Sequence, residues 1–202
     1  LSEVREAYPQ YAGMLTILPD GRLYCDSLRT GRELDLRDRG YFKAAVAAPG
    51  GVVLEPVFSR LTGLAVMQVA HPVRTREGAL LFVLLASLNL QKLVEDRLTF
   101  SPQTQLLLLS ERGQVLATSG NAGAAESAGA SLAGTALFRF ISAGGPRTGE
   151  VGDPGEQWVW AVAEHPLLKQ AGIRLAAGVP KHVLVQEADL RFRQDLMFLA
   201  VT

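Results

Sequence analysis

An α+β fold assembled twice, each copy an antiparallel sheet with flanking helices, is what this sequence predicts, and three observations carry it. A strand–turn–strand pattern near the start returns in the second half, with Gly113 standing 92 positions after Gly21. Val69-Ala70-His71-Pro72 followed by Gly78 is echoed by Val162-Ala163-Glu164-His165-Pro166 followed by Gly172; the histidine-to-glycine spacing is seven in both and the offset 94. A strongly apolar strand and then a helical pattern follow each echo, at 79–87 with 88 onward and at 173–179 with 181 onward. Matching features in one order at a nearly constant offset mark a structural duplication. The boundary falls at 98/99, giving subdomains 1–98 and 99–202.

Each element has its own signal. Residues 1–8 read as a leading helix. Residues 11–18 (YAGMLTIL) are apolar and strand-like, Pro19-Asp20-Gly21-Arg22 supplies a tight turn, and 23–28 return as the second arm of a hairpin. The stretch Leu34-Asp35-Leu36-Arg37-Asp38-Arg39-Gly40-Tyr41-Phe42 gathers acids, arginines and aromatics ahead of an alanine-rich helical run, 43–48. Asp35 or Asp38 is placed to cap that helix, since a carboxylate accepts from free N–H groups and complements the positive helix end. Pro49-Gly50-Gly51 breaks it.

Strands are expected at 52–58 and 64–73, with Arg60-Leu61-Thr62-Gly63 turning between them. After a turn at 74–78, residues 79–87 are almost wholly apolar, which predicts a central strand buried on both faces. Residues 88–98 show helical spacing through Leu90, Leu93, Val94 and Leu98. In the second half, 106–116 repeats the hairpin. Residues 118–134, rich in Gly, Ala and Ser, read as a long mobile loop. A short helix at 136–143 ends at Gly144-Gly145-Pro146, and Trp158 and Trp160 alternate on one strand and so face one side. Each half is thus hairpin, helix, then three antiparallel strands, a PAS-like arrangement.

Composition excludes several function classes. Hydrophobic residues at 48% and charged ones at 20% describe a globular chain able to build a core. Twenty basic residues balance twenty acidic ones, so the strongly positive face a nucleic-acid partner needs is not expected. Cys25 is the single cysteine, which rules out an internal disulfide. The glycines around Gly120 lack the Lys and Ser/Thr of a phosphate loop. Ser27, Ser59 and Ser110 have no ordered His and acid nearby. His71, His165 and His182 stand without a second ligand at metal spacing. Catalysis, metal and cofactor chemistry are therefore not expected. The closing run 196–202 is apolar. It reads either as the first part of a bilayer span, which needs about 20 such residues, or as a helix end packed on the core.

Four landmarks in order resemble the double Cache sensor family, the extracytoplasmic domains of bacterial membrane signalling proteins. They are Pro19-Asp20-Gly21-Arg22-Leu23-Tyr24-Cys25-Asp26-Ser27, then Asp38-Arg39-Gly40-Tyr41-Phe42, then Arg60-Leu61-Thr62-Gly63, then Ala70-His71-Pro72-Val73-Arg74 with Gly78. Gly178-Val179-Pro180 ahead of the last helix adds a weaker one in the second half. The resemblance implies a membrane-distal first subdomain, a membrane-proximal second one, and transmembrane helices on either side, with 196–202 opening the second span. Arg191 and Arg193 lie just ahead of that run. It implies a periplasmic domain of an inner-membrane receptor that works as a homodimer. The likeness runs most strongly to sensors upstream of diguanylate cyclases; histidine kinases and chemoreceptors use the same domain.

Family ligands bind in the distal half, between the sheet and the helix that Asp38 opens. In amino-acid-binding members an arginine followed two residues later by Trp-Tyr holds the carboxylate, and an aspartate on the last strand holds the amine. Arg39 matches the arginine; Tyr41 and Phe42 replace the aromatic pair. The aspartate position falls on Ser87, and a neutral serine cannot neutralise a buried ammonium. That disfavours α-amino acids and leaves a small molecule such as a carboxylate. Arg39 offers a planar fork suited to such an anion, or else it pairs internally with Asp35, Asp38 or Glu55. Glu55, Phe58 and Arg60 lie on or beside the strand facing the helix, Glu55 sharing one face with the residues two positions away. Arg60 and Thr62 read first as turn residues. The rival to ligand sensing is a ligand-free dimerisation or protein-interaction module.

Overall fold

The computed structural model describes residues 1–97, 103–119, 126–145, 147–153 and 156–185. They form two compact units, one built on Leu1–Leu98 and the other on Thr99–Lys169 with Ile173–Thr202.

In the first unit a short helix α1 (Ser2–Ala7) precedes strands β1 (Tyr11–Ile17) and β2 (Leu23–Asp26), helix α2 (Gly40–Ala47), strands β3 (Val53–Phe58), β4 (Ala65–Arg74) and β5 (Leu80–Asn89), and helix α3 (Leu90–Arg97). The strands make one antiparallel sheet in the order β2-β1-β5-β4-β3. The second unit repeats this with β6 (Gln105–Ser110), β7 (Val115–Ser119), α4 (Ala136–Ser142), β8 (Arg147–Asp153), β9 (Glu156–Ala163), α5 (Pro166–Gln170) and β10 (Ile173–Pro180). Its sheet order is β7-β6-β10-β9-β8, the same permutation. A further helix starts at 181–185, as expected. Residues 186–202, on which the rest of the expected helix, Arg191, Arg193 and the 196–202 run fall, lie outside the described residues. No helix among the described residues is long and apolar enough to cross a membrane.

The central strand departs from its sequence reading. On β5, Val83 and Leu85 are buried at 0% and 1%, but Leu84 between them is exposed at 36%. An antiparallel sheet covered by a helix on one side alternates in this way, so a run of apolar residues does not mean two buried faces. The covered face holds the core, in which Leu15, Ile17, Leu36, Tyr41, Phe42, Ala45, Ala70, Val83 and Leu85 pack together. In the second unit Leu107, Leu109, Val115, Leu132, Ile141, Trp160, Val162 and Ala176 do the same. Trp158 and Trp160 do share a face there, their rings stacked 5.9 Å apart.

The duplication extends into the segment between hairpin and helix. Gly21 takes φ 86° and its carbonyl accepts from Leu36 N at 2.9 Å; Gly113 takes φ 79° and accepts from Leu132 N at 2.8 Å. Each leucine then plugs its core, at 3% and 5% exposure. A Cβ on Gly21 would meet the Arg37 backbone at 3.0 Å, and one on Gly113 the Ala133 backbone at 3.1 Å, so both turns require glycine for close approach as well as for φ. The expected mobile loop is corrected accordingly. Residues 126–134 are tied to β7, with Val115 N donating to Ala130 O and Gly129 N to Val115 O, both at 2.8 Å. Composition missed this because backbone hydrogen bonds and one buried leucine, not a run of apolar residues, order the segment. Residues 120–125 of that stretch lie outside the described residues.

Candidate functional site

Helix α2 lies over the covered face of the first sheet, and strand register sets a polar row beneath it. Glu55 on β3 stands opposite Gln68 on β4, Gln68 opposite Ser87 on β5, and Ser87 opposite Gly13 on β1. Alternation puts these positions on the face of Val53 and Val57 on β3, Ala70 on β4, Val83 and Leu85 on β5, and Leu15 on β1, which is the face that carries the core. Ser87 and Gln68 are buried at 3% and 2%, and the Ser87 hydroxyl donates to Gln68 Oε1 at 2.8 Å. Ser87 is thus engaged by the neighbouring strand.

Arg39 occupies the N-cap position of α2, in extended conformation and with no side-chain capping hydrogen bond. This corrects the expectation for Asp35 and Asp38. The helix starts at Gly40, and both acids are taken by other arginines. Arg37 Nη2 and Nε reach Asp35 Oδ2 at 2.5 and 2.9 Å. Arg60 forks onto Asp38 at 2.8 and 2.5 Å and also donates to Asp35 O at 2.8 Å. The hydrogen bonds from Arg37 hold the Asp35 carboxyl down at about 2, and those from Arg60 hold Asp38 below the usual carboxylate range. Arg60 therefore ties the segment before α2 to the β3–β4 turn.

The Arg39 guanidinium is left with few partners. Its Nη2 donates to Phe58 O at 3.0 Å, and its central carbon lies 5.5 Å from the centre of the Tyr41 ring. Among the described residues no carboxylate comes within salt-bridge distance of it, so the expected alternatives of pairing with Asp35, Asp38 or Glu55 are not seen. Beyond Phe58 O and the Tyr41 side chain, no partner for its donors is seen among the described residues.

Tyr41 and Phe42, at 3% and 5% exposure, belong to the core. Burial pushes the Tyr41 phenol up, opposed by Arg39 beside it. Glu55 approaches the first turn of α2 so closely that a Cβ on Gly40 would lie 2.8 Å from both carboxylate oxygens. No hydrogen bond or ion pair engages that carboxylate among the described residues. The structure therefore brings Arg39, Tyr41 and Glu55 together at the start of α2. Ser87 joins them through the Gln68 row. Phe58 contributes its carbonyl, its ring falling on the opposite face from Glu55 and Val57 by alternation. Phe42 packs inward, and Arg60 stands at the rim.

Two residues that the sequence reading passed over complete the site. Gln68 is a polar residue inside the otherwise apolar run 65–70, a signal that was available. Arg74 holds the far end of α2, with Nη2 donating to Val46 O at 2.7 Å and Ala48 O at 2.9 Å and Nη1 to Gly78 O at 3.2 Å. An open cleft of about 590 Å³ also marks this unit, between the β1–β2 hairpin and the Glu33–Arg37 segment. Neither Arg39 nor Glu55 lines it.

No protein-family model matches the chain, and no curated protein sequence matches it either. Solved structures do resemble it. An extracellular domain ascribed to a histidine kinase, rpHK1S-Z16, matches with a TM-score of 0.70 at 19% identity, over 92% of this chain and 77% of that one. The sensor domain of the V. cholerae histidine kinase DctB matches with a TM-score of 0.64 at 16% identity, over 90% and 76%. The chain has the double Cache fold. A third neighbour, the ligand-binding domain of the Campylobacter jejuni chemoreceptor Tlp3 in complex with 4-methylisoleucine, has a TM-score of 0.62 at 12% identity, over 91% and 70%. All three neighbours are sensor, ligand-binding or extracellular domains of histidine kinases or a chemoreceptor.

Proposed function

We propose that this chain is the extracytoplasmic ligand-sensing domain of a bacterial transmembrane receptor, and that its first, membrane-distal unit takes a small ligand with an anionic group. The observation that carries the reading is Arg39. The two acids placed beside it in the sequence are consumed by Arg37 and Arg60, and its fork is left open next to a buried tyrosine. Glu55 brings to the first turn of α2 the carboxylate that Ser87 does not supply. A ligand with a carboxylate for Arg39 and a hydrogen-bond donor for Glu55 matches both groups.

The receptor would be an inner-membrane homodimer carrying its output module beyond the second span. The first-half landmarks favour a diguanylate cyclase there, while two of the solved neighbours come from proteins described as histidine kinases and one from a chemoreceptor. Ligand binding can shift such a receptor only by its differential affinity for two states.

One observation favours the second reading, a ligand-free dimerisation or interaction module. Gln68 and Ser87 satisfy each other, and Tyr41 and Phe42 are buried, so part of the floor is already closed. A thermal-shift screen against small carboxylates separates the two. Ligand sensing predicts at least one compound that raises Tm, with Arg39→Ala weakening it roughly tenfold to a hundredfold through lost charge-assisted hydrogen bonds. A screen without hits, or a hit indifferent to Arg39→Ala, sinks the anion reading.

A further inference from the structure

The second unit contains a cavity that this reading does not use. It holds about 170 Å³ and opens where the end of α4, the end of β9, helix α5 and the start of β10 converge. Its apolar wall is Ile141, Val162, Leu168 and Ile173, and its cations are Lys169 and Arg174. Neither cation has an ion-pair partner among the described residues. Arg174 Nε is buried and donates to no group among the described residues, so it bears the desolvation cost of a hydrogen bond it does not make there. His165 Nδ1 accepts from Leu167 N at 3.2 Å, which places the neutral ring's proton on Nε2 and makes that atom a donor. Two acids also line the cavity. Glu164 is engaged, its Oε1 accepting from Gly145 N at 2.8 Å, and Glu111 stands at the rim.

We infer that this cavity is a second binding site, for a short-chain aliphatic monocarboxylate. The planar Arg174 fork and the Lys169 ammonium meet the carboxylate, and the four apolar side chains cover the hydrocarbon tail. The two glutamates set the charge: with both ionised, a second negative group on the ligand meets repulsion, so dicarboxylates and the phosphate dianion are selected against. The volume limits the tail to a few carbons. Arg74 in the first unit offers no such fork, because it is spent on α2 carbonyls.

The chain supplies its own reporter. Both of its tryptophans, Trp158 and Trp160, sit on β9 four and two residues before Val162, on the same face. Tryptophan emission, excited selectively over tyrosine, is therefore read from the second unit alone, since all four tyrosines lie in the first. Propionate and butyrate, titrated into the whole chain at constant ionic strength, are expected to change the emission saturably, whereas succinate and phosphate bind at least tenfold more weakly. Arg174→Gln is expected to weaken propionate roughly tenfold or more, and Lys169→Ala, a change on an exposed position of α5, several-fold. Arg39→Ala leaves the signal unchanged, which distinguishes this site from the first unit's. The inference is overturned by any one of four results: no saturable change with either monocarboxylate, succinate or phosphate binding as tightly, a signal lost in Arg39→Ala, or one retained in both Arg174→Gln and Lys169→Ala.

Discussion

Replacing Ser87 by alanine tests the polar floor beneath α2 directly. The hydroxyl is its only polar group, it is 3% exposed, and it donates at 2.8 Å to an oxygen of Gln68, itself 2% exposed. Removal leaves the Gln68 acceptor buried with no donor, which costs about 1–3 kcal/mol, more than the net value of the bond itself. The structure makes the asymmetry testable, because Gln68→Met removes the acceptor while keeping much of the volume. The pair Gln68→Met with Ser87→Ala should therefore recover part of what Ser87→Ala loses, with a coupling energy of about 0.5–3 kcal/mol. Urea unfolding followed by far-UV circular dichroism is the assay, since both tryptophans report on the other unit. If Ser87→Ala changes stability by less than about 0.5 kcal/mol, or if the two changes simply add, the row does not hold the floor and the reasoning fails.

Three more outcomes can be checked. Gly178→Ala should destabilise the second unit by about 1–3 kcal/mol through overpacking, because the new methyl would lie 2.7 Å from the Trp160 ring, and tryptophan emission should shift with it; wild-type emission and melting would refute this. Arg74→Met removes two hydrogen bonds to carbonyls at the α2 C-terminus and one to Gly78 O in the β4–β5 turn, so hydrogen exchange in the last turn of α2 should accelerate ahead of the rest of the unit. Asp38→Asn addresses pH. The Asp38 pKa is lowered by Arg60, so its contribution is present above the ordinary carboxylate pKa and is lost as pH falls through the depressed value. The stability difference between the parent and Asp38→Asn should accordingly close in strong acid, and a gap of undiminished size at about pH 2 would count against the pair.

Elements came through in the sequence because their signals are local. Gly21 and Gly113, the two His-Pro to Gly spacings and the apolar runs are all readable within a few residues, and together they carried the duplication and the element order of each half. Side-chain partners were harder. The row Glu55–Gln68–Ser87–Gly13 exists only once the register of four strands is known, and register is a non-local property. Asp38 looked like a cap because it precedes a helix, but Arg60, 22 positions later, competes for its carboxylate. Leu132 lay in a stretch whose Gly, Ala and Ser content suggested a mobile loop, and one buried leucine does not alter a compositional average. Apolar content in the same way hid the one-sided burial of β5.

The two ends of α2 are held unequally. Two carbonyls near its C-terminus are gripped by Arg74, whereas its N-terminus has no side-chain cap. A rigid tilt of α2 about its Arg74 end, one that strains the Arg39 contact with Phe58 O, would make the helix a lever with its fulcrum there. Eight residues of helix span about 12 Å, so a tilt of about 5° about that fulcrum carries the Arg39 end through about 1 Å. That displacement is a large fraction of a hydrogen-bond length, and it arises with little movement where the helix is pinned.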